Sequence, residues 1–187
     1  MNSGLYPVDL SGVDWASTRQ VYTETMCDWL FSSGSLTQRL KDYQRDFSVI
    51  VLSEKVVSLT VEQRNLLNAS SIDTTVREVF LCVDGKPWVF AQSILPHCAL
   101  HSGFASLVNI GDKPLGELLF TTTDVIRGKL LAAQFDLQSA LHQFLLQQAV
   151  PVEHKLVGRR SLFTRQASVI SVTEIFLPSC PVYSAES

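Results

Sequence analysis

Residues 75–96, TVREVFLCVDGKPWVFAQSILP, constrain the fold more than any other stretch. Two apolar runs flank Asp84-Gly85, and Asp-Gly suits the type I′ turn, which needs φ > 0 at both central residues. A two-residue loop pairs Val83 with Lys86, Leu81 with Trp88, Val79 with Phe90 and Arg77 with Gln92. Side chains alternate along a strand, so Arg77, Val79, Leu81 and Val83 share one face. That face is apolar apart from Arg77. A guanidinium turned toward a core needs a partner, because burying a bare charge costs several kcal/mol or more. Its planar fork fits a carboxylate.

Residues 168–181, SVISVTEIFLPSCP, pose the matching problem. On a strand, Ile170, Val172, Glu174 and Phe176 point the same way, so Glu174 also sits on a core-facing register. A buried carboxylate needs a cation or a donor network, or its pKa rises. Two outcomes stand open: Arg77 and Glu174 pair with each other, or they flank a cavity whose ligand brings its own carboxylate and hydroxyl.

The 187 residues fit one domain, and 46% apolar against 18% charged content supplies a sizeable core. A net charge of −3 gives no electrostatic reason to expect nucleic acid or an anionic membrane surface as partner. No apolar run reaches the length of a membrane span, and the first residues lack the basic-then-apolar pattern of a secretory signal. Cys27, Cys82, Cys98 and Cys180 are scattered without metal-ligand spacing, which predicts free thiols and no metal.

Residues 1–20 are weakly patterned and predict a loose arm. Helices are expected over 21–31, over 36–43 with a Ser35–Gln38 capping box, and over 60–68 with Thr60 and Gln63 in the same roles. Further helices are expected over 102–110 ending at Gly111, over 114–120 opened by Pro114, and over 136–150 stopped by Pro151. Strands are expected over 47–58 with a bend near Ser53-Glu54, over 125–134, over 156–165 and over 169–177. No regular crossover helices separate the strands, so the class is α+β with an antiparallel sheet.

Phosphate-loop, dinucleotide and nucleophile-elbow motifs are absent from the sequence. His97 and Cys98 are adjacent and would point to opposite faces, so they form no dyad. Arg159 and Arg160 alternate across their strand, so one of them faces the Arg77 side; a solvated arginine pair is the expectation. Arg77 and Glu174, with the helix starts near Leu36 and Leu115, would suit a small anionic ring compound.

Five blocks in order, DWLFSSGSLTQRL (28–40), REVFLCVDGKPWVFAQSILP (77–96), GDKPLGELLFTTT (111–123), GRRS (158–161) and TEIFLPSCPVY (173–183), resemble the chorismate pyruvate-lyase family. The resemblance implies an antiparallel sheet flanked by helices, with a ligand cavity covered by two helical flaps and no cofactor. It implies a carbon–oxygen lyase that converts chorismate to 4-hydroxybenzoate and pyruvate, the first step toward ubiquinone in bacteria. The family's ligand contacts fall on Arg77 and Glu174 by side chain and on Leu36 and Leu115 by backbone N–H. Residues 1–24 have no counterpart in this reading and form an N-terminal arm to a single domain over 25–187. Residues 136–155 stand as a helical insertion, which could lie across the flaps or on the surface. The expectation is a cytoplasmic monomer. Two other readings are a non-catalytic sensing domain of the same fold and a lyase giving another hydroxybenzoate isomer.

Overall fold

The computed structural model describes residues 6–43 and 46–184. Among the described residues, seven strands form one sheet in the order β1-β2-β3-β7-β6-β4, with β5 also paired to β6, and every neighbouring pair is antiparallel. The strands are β1 (Phe47–Ser58), β2 (Asp73–Val83), β3 (Lys86–Pro96), β4 (Ile126–Arg127), β5 (Leu131–Phe135), β6 (Leu156–Arg165) and β7 (Ser168–Phe176). The helices are α1 (Glu24–Leu30), α2 (Leu36–Lys41), α3 (Val61–Leu66), α4 (His97–Leu100), α5 (Leu115–Thr121) and α6 (Ala140–Gln147). No helix among the described residues is long and apolar enough to cross a membrane.

The central hairpin turns at Asp84 (φ 50°) and Gly85 (φ 71°), the left-handed pair that a type I′ turn requires. Its register departs from the expected one. Val83 pairs with Lys86 and Cys82 with Pro87, but Leu81 then pairs with Val89, leaving Trp88 as an extra residue. Proline has no N–H to give to the ladder, and the strand bulges beside it. A one-residue slip changes which residues share a face. Val79 therefore opposes Ala91 and Arg77 opposes Ser93, while Phe90 and Gln92 join Phe80 and Glu78 on the other face.

The front face carries Arg77, Val79, Leu81, Val172 and Glu174. Two apolar clusters cover it. One holds α1 and α2 through Trp29, Leu30, Leu36 and Leu40. The other holds α4 and α5 through Leu100, Leu115 and Leu119. The rear face packs Phe80, Phe90 and Phe135 against Leu141, Phe144 and Leu145 of α6. The stretch 136–155 thus lies behind the sheet, away from α2 and α5.

The arm is strapped down rather than loose. Val8 and Leu10 are buried in the rear cluster, and Ala16 exchanges backbone hydrogen bonds with Ala132 at 3.0 and 2.8 Å. Backbone bonds leave little trace in residue pattern, so the sequence does not announce the strap. Residues 102–110 do not form the expected helix; a single 3₁₀ turn, Ala105–Leu107, stands there. Gly103 explains the break: its N–H goes to Ser168 Oγ at 3.2 Å and its carbonyl to Arg165 at 2.8 Å. The expected box at α2 is half made, since Ser35 caps Gln38 but the Gln38 side chain donates to Asp42; the Thr60–Gln63 box is complete. The expected strand over 125–134 is split into β4 and β5, and α1 begins at Glu24, capped by Thr23.

Candidate active site

The four residues singled out in sequence, Leu36, Arg77, Leu115 and Glu174, line one cavity between the front face and the two short helices. Leu36 and Leu115 are the first residues of α2 and α5, whose opening N–H groups have no acceptor within the helix. Apolar walls come from Val79, Leu81, Ala91, Leu119 and Val172. The cavity measures about 30 Å³. That is far below the roughly 300–1,000 Å³ of small-molecule pockets, so the site is drawn nearly shut.

Arg77 and Glu174 do not pair with each other. Arg77 is 2% exposed; its Nη1 donates to Glu54 Oε1 at 2.6 Å and its Nη2 to the Lys113 carbonyl at 3.4 Å. Glu54 sits directly opposite Arg77 on β1 and is part-exposed, so it holds the guanidinium from the rim. Glu174 accepts from Arg159 Nε at 2.7 Å, again its cross-strand neighbour. The two site residues lie on strands separated by β3, at register positions whose Cα atoms should be about 10–12 Å apart from strand spacing and rise.

Arg159 is the arginine of its pair that faces this side, and it is buried, not solvated: only 1% of it is exposed. Besides Glu174 it donates from Nη1 to the carbonyls of Trp29 (2.9 Å) and Ser32 (3.3 Å), tying the α1–α2 connection to the sheet. Arg160 points to the rear, over the Trp15 ring, and donates to Thr173.

Arg127 of β4 also lines the cavity. Its Nε donates to Ser161 Oγ at 2.9 Å, and its Nη2 stands 3.9 Å from Glu174 Oε2. Burial and the neighbouring Arg159 bring its pKa down to about 10, against the pull of Glu174. The two covering helices meet closely, with Gly116 against Thr37 and Lys41 bonded to Glu117 at 2.7 Å.

The family model described as chorismate lyase matches residues 10–187. This chain belongs to the chorismate lyase family. A probable chorismate pyruvate-lyase of Pseudoalteromonas translucida (strain TAC 125) is 38% identical over 180 residues, covering 95% of this chain and 98% of its own. One from Idiomarina loihiensis (strain ATCC BAA-735 / DSM 15497 / L2-TR) is 33% identical over 181 residues, covering 96% and 92%. Among solved structures, the effector domain of PhnF from Mycobacterium smegmatis superposes with a TM-score of 0.58 at 12% identity, over 79% of this chain and 90% of that one. That likeness is one of fold. The family match begins inside the arm, in the stretch for which the sequence blocks had no counterpart.

In this chorismate lyase family member, three charged groups at the site were not picked out from sequence. Arg159 could have been: a two-residue turn at Gln166-Ala167 makes β6 and β7 a hairpin, and counting back from it places Arg159 opposite Glu174. Glu54 depends on a register shift in β1 between Val51 and Ser53, which sequence only hints at as a bend. Arg127 sits on a two-residue strand and carries no local signal.

Proposed function

We propose that this chain is a chorismate pyruvate-lyase releasing 4-hydroxybenzoate, with Arg77 and Glu174 at the two ends of the ring. The observation that carries this reading is one closed cavity, in a chain of this family, shared by the inward guanidinium, the inward carboxylate and the starts of two covering helices. Arg77 takes the ring carboxylate through its fork, in competition with the rim carboxylate of Glu54, and the N–H groups of Leu36 and Leu115 add to that end. Glu174, held by Arg159, accepts from the ring hydroxyl that the product keeps.

Elimination aromatises the ring, so the chemistry runs strongly downhill. The protein's work is to hold the reactive conformer and exclude water. A cavity this small admits a ring only when α2 and α5 part. Their movement then gates both entry and release, which makes product release the slow step. The reading carries with it a cofactor-independent, cytoplasmic monomer feeding ubiquinone synthesis.

The test is incubation of the purified protein with chorismate, with the aromatic product identified by chromatography and mass spectrometry and pyruvate quantified. Equimolar 4-hydroxybenzoate and pyruvate are expected. A 3-hydroxybenzoate product would move the chain to another lyase activity. Tight 4-hydroxybenzoate binding without turnover would make it a sensing domain.

A further inference from the structure

The charges around the cavity do not balance. Arg77 has Glu54, and Arg159 has Glu174, each at direct hydrogen-bond distance. Arg127 is left over. Its nearest carboxylate oxygen among the described residues is the Glu174 Oε2 already bonded to Arg159, and it lies 3.9 Å away. The guanidinium is nonetheless mostly buried, with 13% of the side chain exposed, between the rings of Phe120 and Phe163. Its Nη1 reaches the carbonyls of Ser33 and Gly34 only at 3.5 Å. Holding a poorly paired cation in such surroundings costs free energy that an incoming anion would offset.

We propose that Arg127 binds the second carboxylate of chorismate, the one on the enolpyruvyl group that departs as pyruvate. This rests on the lyase reading above. The connectivity of chorismate places the two features on neighbouring ring atoms. The ring carbon bearing the ether is next to the carbon bearing the hydroxyl. If Glu174 holds that hydroxyl, the ether and its carboxylate lie next to Glu174, where Arg127 stands. In the reaction the ring C–O bond breaks with its electron pair on the ether oxygen. The hydrogen of the hydroxyl-bearing carbon leaves as a proton, and its bonding pair becomes the third ring double bond. Enolpyruvate takes up a proton at its methylene carbon to give pyruvate. One dianion becomes two monoanions, and Arg127 sits where the departing one forms. Its contacts to Ser33 and Gly34, just ahead of α2, would then tie capture of this carboxylate to closure of the cover.

The test compares Arg127→Gln with the unaltered protein for chorismate turnover and for 4-hydroxybenzoate affinity, since the product lacks the second carboxylate. We expect kcat/KM to fall about 100-fold, the scale of losing one partner of a buried charge pair, with product Kd changed by no more than about threefold. Arg127→Lys should recover part of the loss. Turnover like that of the unaltered protein overturns this assignment alone, and so does a product affinity that falls in step with turnover. An unaltered protein that releases no pyruvate overturns the lyase reading and this assignment together. A folding-independent arm uses the unaltered protein: 3-(carboxymethoxy)-4-hydroxybenzoate should compete at least about tenfold better than its side-chain methyl ester. Equal competition overturns the proposal.

Discussion

Both faces of the sheet hold a glutamate near the middle strands, fully buried on the rear and mostly buried on the front, and they surround it differently. On the rear, Glu78 is fully buried; its Oε1 accepts from Val8 N–H at 2.7 Å and from Gln92 Nε2 at 2.9 Å, while Oε2 has no partner among the described residues. Burial pushes its carboxyl above the usual range, and the bonds from Gln92 and Val8 pull it only partly back. On the front, Glu174 has one guanidinium against it and a second close by. The rear acid takes its hydrogen bonds from neutral groups, one from its cross-strand neighbour and one from the arm, and the Lys55 charge acts on it as well, so it works as a strap. The front acid sits in a surplus of positive charge that the fold does not neutralise. A buried acid is therefore weak evidence of function by itself. What donates to it discriminates: neutral groups on the rear, a buried guanidinium on the front.

Removing each acid should break the comparison most sharply. Glu174→Ala leaves Arg159 buried without its carboxylate and should cost about 3–5 kcal/mol of stability in chemical denaturation, along with turnover. Arg77→Ala acts on the other end of the ring: Glu54 keeps only an exposed rim position, and 4-hydroxybenzoate affinity should drop by at least about 2 kcal/mol in a titration. A near-normal turnover in that variant would refute its role.

The cover gives a finer test. A Cβ on Gly116 would meet Thr37 Oγ1 at 2.9 Å, so Gly116→Ala should wedge α2 and α5 apart. Faster product release is expected in stopped flow, with weaker product binding. Adding Thr37→Ala should restore both by removing the obstructing hydroxyl.

The smallest effect belongs to the rear. Glu78 titrates higher in the folded protein than in the unfolded chain, so the unfolded chain gives up its proton first. Its contribution is fully present below the ordinary glutamate range and is lost as pH rises through the folded value. Stability should decline over that window in the unaltered protein, and Glu78→Gln should flatten that part of the profile without touching turnover.

How far the residues foretell this arrangement depends on whether the signal is local. Asp84-Gly85 defines a turn by backbone conformation, and the strand face of Arg77 follows from counting away from it. On the partner strand Pro87 disturbs the ladder two residues after the turn, so the same counting puts Phe90 and Gln92 on the wrong face. Glu174 was legible as an acid among apolar neighbours at period two. Its ion partner Arg159 was legible in principle, once Gln166-Ala167 is taken as a tight turn with Gln166 at φ 54°. Arg127 and the strapped arm were not, because each is placed by tertiary contacts made far from its own stretch of chain.

The central claim is that one aromatic acid lies between Arg77 and Glu174 beneath α2 and α5. A crystal structure with 4-hydroxybenzoate tests it most directly. The account predicts the carboxylate on the Arg77 fork and the hydroxyl on Glu174, with the cavity enlarged to fit the ring. A ligand lodged behind the sheet, or turned with its carboxylate toward Glu174, would contradict it.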